Sequence, residues 1–188
     1  MHPWKHFITI TRHRHTVMRM CFQIGLYKQG LLHDLSKYSW TEFSRGSRYF
    51  QGNRSPNNYE RELYGYSVSW LHHKGRNRHH FEHWVDYSLD KEHVIMGVQM
   101  PRRYVAEMIA DRISASRTYL GEKYDQTQPL AYFLKSKEAL WFIHPQTKRE
   151  LEGILRILAD HGEDKMLDFV KNVYLPRGVK GNYGCNHR

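Results

Sequence analysis

This sequence contains few cysteines and no long apolar run. The two cysteines, Cys21 and Cys185, are far apart and follow no metal-ligand spacing, so they indicate free thiols in a reducing compartment. No stretch approaches the roughly 20 apolar residues of a membrane span, and no apolar run follows the first residues, so no signal peptide is expected. These absences predict a cytoplasmic protein without a membrane partner.

Acidic residues are also few relative to basic ones. Lys and Arg number 29 against 19 Asp and Glu, which gives a net charge of +10 and a pI of about 9.6. This balance favours anionic partners such as phosphates, nucleotides, nucleic acid or an acidic surface. The alternative is a soluble basic protein that has no such partner. Histidine is abundant instead: several of the 14 histidines fall into clusters, as metal sites require.

Strand patterns are nearly absent, and most of the chain has helical periodicity. With 188 residues, 40% of them hydrophobic, the chain can form one all-α domain. We expect that domain over residues 1–174, with a core at about 7–120, a helical brace at 129–174 and a flexible basic tail at 175–188. A short turn or strand is predicted near 94–96. Helices are predicted at 4–28, 39–50, 59–74, 129–142, 146–161 and 163–174, and one more begins at Pro101.

The stretch Leu31-Leu32-His33-Asp34-Leu35-Ser36-Lys37-Tyr38 places a histidine and an aspartate between leucines. An ionised carboxylate is costly to remove from water unless another charge compensates it. Imidazole and carboxylate groups are both ligands of first-row divalent metals, so a bound cation would supply that charge. Lys37 follows Asp34 by about one helical turn, so both can face one pocket. The alternative is a buried Asp34–Lys37 ion pair, with His33 as an ordinary core histidine.

The first predicted helix carries a second candidate ligand. His13 lies on its apolar stripe, four residues before Val17, whereas His15 lies about 200° round the helix from His13. If one of the two histidines faces inward, it is therefore His13. Cys21 lies on the same stripe and is predicted to be a core thiol.

Two acidic residues on later helices allow more than one interpretation. Asp111 lies at the edge of an apolar stripe among small residues, where its carboxylate either pairs with an arginine such as Arg112 or binds a metal. Glu42 lies three residues after Ser39, which is the spacing of a capping box. For Glu42 this capping role is favoured over a catalytic one.

Five histidines, two arginines and a lysine crowd the segment 72–84. Gly75 is predicted to end a helix there, so basic and imidazole groups on both sides of the break can converge on a metal and a phosphate. A second interpretation is a nucleic-acid-binding loop with Trp70, Phe81 and Trp84 for base stacking, and a third is a solvated loop.

Together these elements resemble the HD superfamily of metal-dependent phosphohydrolases over about residues 7–120. The resemblance lies in four segments that occur in the family's order: His13 with Val17 and Cys21, Leu31-Leu32-His33-Asp34-Leu35-Ser36-Lys37, Trp70-Leu71-His72-His73, and Ile109-Ala110-Asp111-Arg112-Ile113-Ser114-Ala115. The chain departs from the family in three ways. Ser36 stands where glycine is usual, the first histidine precedes the His-Asp pair by only twenty residues, and no Gly-Tyr-Pro signature occurs. The chain as a whole more closely resembles a group of bacterial and phage proteins that share the runs Gly-Leu-Leu-His-Asp-Leu-Ser-Lys and His-His-Lys-Gly-Arg-Asn.

The resemblance implies an HD-domain-like helical bundle with a metal site. On this hypothesis one ion is held by His13, His33, Asp34 and Asp111, and Asp34 also bridges to a second ion. His72 or His73, with His79 or His80, would complete the second site. Lys37, Asp34 and His73 are the candidate catalytic residues, and the candidate phosphate-binding residues are Lys37, Lys74, Arg76 and Arg78.

The implied activity is hydrolysis of a nucleotide or other phosphate ester by metal-activated water. Imidazole ligands favour Fe, Mn, Zn or a similar divalent transition metal over Mg, as one or two ions. The alternative function is a non-catalytic basic helical domain that binds nucleic acid or a nucleotide. A diiron redox protein is disfavoured, because no Glu-x-x-His pair occurs at a suitable position.

Overall fold

Helices make up most of the chain in the computed structural model, which describes residues 1–177. The all-α prediction is therefore confirmed. Two three-residue strands, β1 (Val85–Tyr87) and β2 (Ile95–Gly97), form an antiparallel hairpin in which Asp86 lies opposite Met96. The principal helices are α1 (Pro3–Gln23), α2 (Tyr27–Leu32), α3 (Trp40–Tyr49), α4 (Pro56–Tyr64), α5 (Val68–Arg76), α6 (Arg102–Leu120), α7 (Gln128–Ser136), α8 (Pro145–His161) and α9 (Glu163–Phe169).

Several helix ends differ from the sequence prediction. The helix predicted at 4–28 stops at Gln23, and Gly25 follows at a φ of 82°. The helix predicted at 59–74 is two helices, because Gly65 ends α4 in the left-handed conformation, which glycine adopts without a steric cost. Gly75 lies inside α5, which ends at Arg76. The helix predicted at 129–142 ends at Ser136.

Other helix ends agree with the sequence. The side chain of Ser39 accepts a hydrogen bond from the backbone N–H of Glu42, so Ser39 is the N-cap of α3. Pro101 precedes α6, and Pro145 begins α8. The last predicted helix continues from α9 through a π-helical turn (Val170–Tyr174) and the helical residues Leu175–Arg177. Of the predicted flexible tail, residues 178–188 lie outside the described residues.

The core is built around α6, which packs against α1 on one side and against α7 and α8 on the other. Completely buried side chains from three of these helices meet there, including Val17, Ile113 and Leu155. Cys21 is part of the same core, and burial raises the pKa of its thiol to about 12, so the predicted role as a core thiol is confirmed. None of the helices in residues 1–177 has both the length and the apolar character needed to cross a bilayer.

A close approach of α2 to α1 positions the residues that follow α2. A Cβ atom at Gly30 would lie 2.9 Å from the Cβ of Cys21 and 3.2 Å from the carbonyl oxygen of Met18. Arg14 of α1 then donates a hydrogen bond to the carbonyl oxygen of His33 over 3.1 Å. The absence of a side chain at residue 30 thus lets the end of α2 lie against the histidine-bearing face of α1.

Candidate metal centre

The His33-Asp34 pair lies at a sharp turn between two helical segments. Helix α2 ends at Leu32, and a 3-10 turn covers Leu35–Tyr38. Within residues 1–177, Asp34 is the one non-glycine residue with a positive φ, at 55°. Such a backbone costs about 1–2 kcal/mol for a residue with a Cβ, although aspartate tolerates it better than most. The turn buries both His33 and Asp34 and leaves the flanking leucines exposed, with Leu32 54% accessible.

Helices α1 and α6 add one donor each to this pair. His13 is buried and His15 is exposed, as the stripe on α1 predicted. The Nε2 atom of His13 lies 2.9 Å from Oδ1 of Asp111 and 3.6 Å from Oδ2 of Asp34. The Nε2 atom of His33 lies 3.3 Å and 3.7 Å from the same two oxygens of Asp34 and Asp111. These four residues form the first donor group, and Asp111 faces it rather than pairing with Arg112, whose guanidinium lies over the ring of Phe81.

A second donor group lies on the other side of Asp34. The Oδ1 atom of Asp34 is 3.3 Å from Nε2 of His73 and 3.5 Å from Nε2 of His79. The Nε2 atoms of His73 and His80 are 2.9 Å apart. His73 comes from α5, whereas His79 and His80 come from the segment between α5 and the 3-10 turn Phe81–His83. Asp34 therefore belongs to both groups, which together contain His13, His33, His73, His79, His80, Asp34 and Asp111.

Not all of the predicted site residues reach these groups. His72 is in neither group, and its Nδ1 atom lies 2.6 Å from Oε1 of Glu42. Arg76 and Arg78 are exposed, and they donate to the carbonyl oxygen of His72 and to the hydroxyl of Tyr104. Lys74 is partly buried, and its carbonyl oxygen lies 3.3 Å from Nδ1 of His83. Lys37 does reach the centre: its Nζ atom is 2.5 Å from Oδ2 of Asp34.

Two buried carboxylates contact the Nδ1 atoms of these histidines, on the side of each ring opposite Nε2. Neither carboxylate was among the predicted metal ligands. The Oε1 atom of Glu107 lies 2.9 Å from Nδ1 of His33 and 3.1 Å from Nδ1 of His79. Glu42 likewise approaches His73, with Oε2 lying 2.7 Å from its Nδ1 atom. The only sequence signal for Glu107 is its position four residues before Asp111, on one face of the same helix. The predicted cap is present, because the backbone N–H of Glu42 donates to the side chain of Ser39. The side chain of Glu42, however, faces His72 and His73.

The charges of the centre set its protonation states. Burial alone would raise the pKa of Asp34, but the charges of His33 and Lys37 outweigh burial and hold that pKa well below its usual value. Burial likewise opposes ionisation of Glu107, yet hydrogen bonds from His33 and His79 lower its pKa to about 2. Burial, together with the neighbouring His79, holds the pKa of His80 well below its usual value. Asp34 and Glu107 are thus ionised at neutral pH, and His80 is a neutral imidazole, which is the form that binds metals. Burial would also lower the pKa of His33, but the charge of Asp34 raises it well above its usual value, so His33 must release a proton when a cation binds.

The donor atoms fit a divalent cation. Within residues 1–177, several of them are buried and make no hydrogen bond of acceptable geometry: Nε2 of His13, His33 and His79, and Oδ1 of Asp34. The other carboxylate oxygen of Asp34, Oδ2, pairs with the amine of Lys37. Buried polar atoms are normally satisfied, so such a cluster needs a compensating partner. Two donors bound to one transition-metal ion at about 2.1 Å lie roughly 3.0–3.4 Å apart for bond angles from 90° to tetrahedral. The separations of 2.9–3.7 Å between the histidine nitrogens and the oxygens of Asp34 and Asp111 are close to that range.

Comparisons with known proteins bear on the family of the chain. Neither a search of curated proteins nor a search of solved structures returned a match. One family model matches residues 2–157, a range that includes every residue of the two donor groups. This match covers well over half of the chain. The chain therefore belongs to the family of unknown function DUF5662.

Proposed function

We propose that the protein is a metal-dependent phosphohydrolase of the HD type, acting on a nucleotide or another phosphate ester. The observation that carries this proposal is the sharing of Asp34 between two groups of buried imidazole and carboxylate donors. One carboxylate oxygen faces each group, as expected for an aspartate that bridges two cations. A carboxylate that served only to pair with Lys37 would not require five histidines around it.

The donor chemistry selects the kind of cation. Five imidazoles and two carboxylates favour Fe, Mn, Zn or a similar transition metal, because Mg²⁺ prefers oxygen ligands. Such an ion, when bound, lowers the pKa of coordinated water from 15.7 towards neutrality and draws electron density from the phosphoryl oxygens.

The chain itself contributes positive charge beside the donors. The Lys37 side chain is 28% accessible while its amine contacts Asp34, so it lies between the buried carboxylate and the surface. Burial alone would lower the pKa of Lys37, but the charge of Asp34 raises it, which keeps the amine protonated at neutral pH. In this position Lys37 would attract a phosphate oxygen and stabilise the charge that develops during hydrolysis. The predicted contributions of Lys74, Arg76 and Arg78 would require substrate to reach the surface around α5.

The competing nucleic-acid interpretation has less support, because its aromatic residues are engaged within the chain. The Trp70 ring stacks on His73 with centroids 5.5 Å apart, and the Arg61 guanidinium lies over the Trp70 ring, 5.4 Å from its centroid. Phe81 packs against Phe142 at 5.8 Å, and Trp84 against Tyr104 at 5.7 Å. Bases would have to displace these contacts before they could stack.

The test is elemental analysis of the protein purified without a histidine tag, together with hydrolysis of bis(p-nitrophenyl) phosphate and a panel of nucleotides. We expect bound transition metal and chelator-sensitive hydrolysis in the wild type. Asp34→Asn, which keeps the side-chain volume, should lose both, whereas Asp160→Asn on the exposed face of α8 should lose neither. The proposal is wrong if Asp34→Asn retains the wild-type metal content and activity. Binding of nucleic acid that falls steeply with salt and ignores chelator would support the alternative instead.

A further inference from the structure

Glu107 has an unusual set of contacts for a carboxylate on a core helix. It is 5% accessible and lies on α6, one turn before Asp111. Its Oε1 atom faces the Nδ1 atoms of both His33 and His79, while its Oε2 atom accepts a hydrogen bond from the side chain of Gln29 over 2.9 Å. The carboxylate is thus held by Gln29 on one side and shared by two imidazoles on the other.

These contacts determine which nitrogen of each ring can bind a cation. An ionised carboxylate is an acceptor only, so the short contacts require a proton on Nδ1 of both His33 and His79. When a cation binds, the ring carries no proton on Nε2, and its lone pair lies on that atom. In both rings Nε2 faces Asp34, at 3.3 Å for His33 and 3.5 Å for His79, and neither atom has a hydrogen-bond partner among the described residues. Glu107 therefore turns both lone pairs towards the same aspartate.

The two histidines belong to different donor groups. His33 is in the group with His13 and Asp111, and His79 is in the group with His73 and His80. Their ring centroids are 4.4 Å apart, so one carboxylate can reach both. His33, His79 and Glu107 form a third possible donor group, and Asp34 also contacts both of the first two groups from a single side chain.

Glu42 provides an internal comparison. It also accepts from two imidazoles, but its two oxygens are divided between His73 and His72. His73 belongs to the second donor group, whereas His72 belongs to neither. Glu42 therefore acts on one group only.

We propose that Glu107 is a positioning residue that holds one ligand of each cation site and so couples the occupancy of the two sites, whereas Glu42 positions a ligand of the second site alone. This inference rests on the proposed function, because it requires that two cations bind. The coupling has a simple physical origin: a cation that fixes His33 also fixes the carboxylate that orients His79, so the second ion binds to a ligand already in place.

Co²⁺ titration of the untagged, metal-free protein tests the proposal, with visible absorption and equilibrium dialysis as readouts. We expect two equivalents in the wild type. In Glu107→Gln one side of the new side chain becomes an NH2 donor. Placed towards the rings, this NH2 meets the two ring N–H donors; placed towards Gln29, it meets the Gln29 NH2 that also donates to the carbonyl oxygen of Arg103, so at least one of these hydrogen bonds is lost in either orientation. Both equivalents should then weaken by about 10–100-fold. In the matched variant Glu42→Gln only one equivalent should weaken.

Three results would overturn the inference. Weakening of one equivalent only in Glu107→Gln would show that the carboxylate serves a single site. Unchanged affinity for both would show that it has no positioning role. Three equivalents in the wild type, with one lost in Glu107→Gln, would make Glu107 a ligand of a third ion. If the wild type binds no cation at all, both the proposed function and this inference are wrong.

A second measurement needs no substitution and covers the case in which Glu107→Gln does not fold, which circular dichroism of the metal-free variant would reveal. Long-range ¹H–¹⁵N correlation spectra of the Zn²⁺-loaded wild type report the protonated nitrogen of each histidine. The proposal requires protonated Nδ1 in His33 and His79. Zn²⁺ bound through Nδ1 of either ring would refute it.

Discussion

The amine of Lys37 and the carboxylate of Asp34 form an ion pair beside the two donor groups, with Nζ lying 2.5 Å from Oδ2. The carboxylate is 1% accessible and the lysine side chain 28%, so the pair spans the distance from the buried centre to its surface. Both interpretations of the sequence, an ion pair and a metal-ligating aspartate, are thus compatible with the same geometry.

The first prediction separates the roles of these two residues. Lys37→Met should reduce phosphodiester hydrolysis by about 100-fold, because one positive group beside the reacting phosphoryl is removed. Its metal content should remain at the wild-type value, since the donors themselves are unchanged. Lys28→Met, on the exposed face of α2, is the matched control and should keep full activity. Loss of metal in Lys37→Met would instead mean that the ammonium group holds Asp34 in place.

The second prediction concerns the neighbouring histidines of α5. His73→Ala should lose one equivalent of bound cation, because His73 belongs to the second donor group. His72→Ala should keep both equivalents, because its contact is with Glu42 and not with the donors. Elemental analysis of the two variants side by side makes the comparison. Equal metal loss in both would contradict the assignment of His73 as the ligand.

The third prediction concerns the contact between α1 and α2. Gly30→Ala should lower the free energy of unfolding by about 1–3 kcal/mol, because the new Cβ meets the Cys21 Cβ at 2.9 Å and the core must shift. The control is Gly153→Ala on the exposed side of α8, where a Cβ meets nothing within 4 Å. That change should stabilise the protein by about 1 kcal/mol through helix propensity. Urea denaturation measures both, and a neutral Gly30→Ala would mean that α2 is free to move.

The fourth prediction is a pH dependence that arises away from the centre. His6 is buried beside Phe43, its Nδ1 atom has no hydrogen-bond partner among the described residues, and burial, with a smaller effect of Lys37, lowers its pKa from 6.5 to about 4. The unfolded state therefore binds a proton that the folded state does not between these two pH values. The contribution of the unprotonated His6 ring to stability is fully retained above pH 6.5 and is lost as the pH is lowered to about 4, by roughly 3 kcal/mol.

The comparison that isolates His6 is His6→Leu against the wild type. The difference in their free energies of unfolding should change across this pH window and stay constant above it. His15→Ala, which removes an exposed histidine of the same helix, should follow the wild type throughout. Parallel curves for His6→Leu and the wild type would show that the buried ring does not resist protonation.

Local patterns in the sequence were sufficient for much of the candidate centre. The apolar stripe on α1 identified His13 over His15, because helical periodicity alone decides which side chain faces the core. The spacing of Asp34 and Lys37 predicted their contact, although the backbone between them is a 3-10 turn rather than a continuous α-helix. The N-cap at Ser39 followed from side-chain chemistry within four residues.

Other features depended on residues far apart in the chain. The helix break at Gly65 was missed, because a single glycine within a helical pattern does not reveal whether it adopts a positive φ. The position of His72 outside the donor groups follows from its contact with Glu42, thirty residues earlier.

What the sequence by itself determined was the helical character of the chain and the residue types available to the centre, because both depend on neighbours within a few positions. Only the tertiary structure decided that Glu107 lies behind His33 and His79. These residues come from three separate segments, and the hydrogen bonds that join them form only when α6 packs against α1, which in turn contacts α2. A glutamate among apolar residues of a core helix has no local partner, so its role follows from that packing.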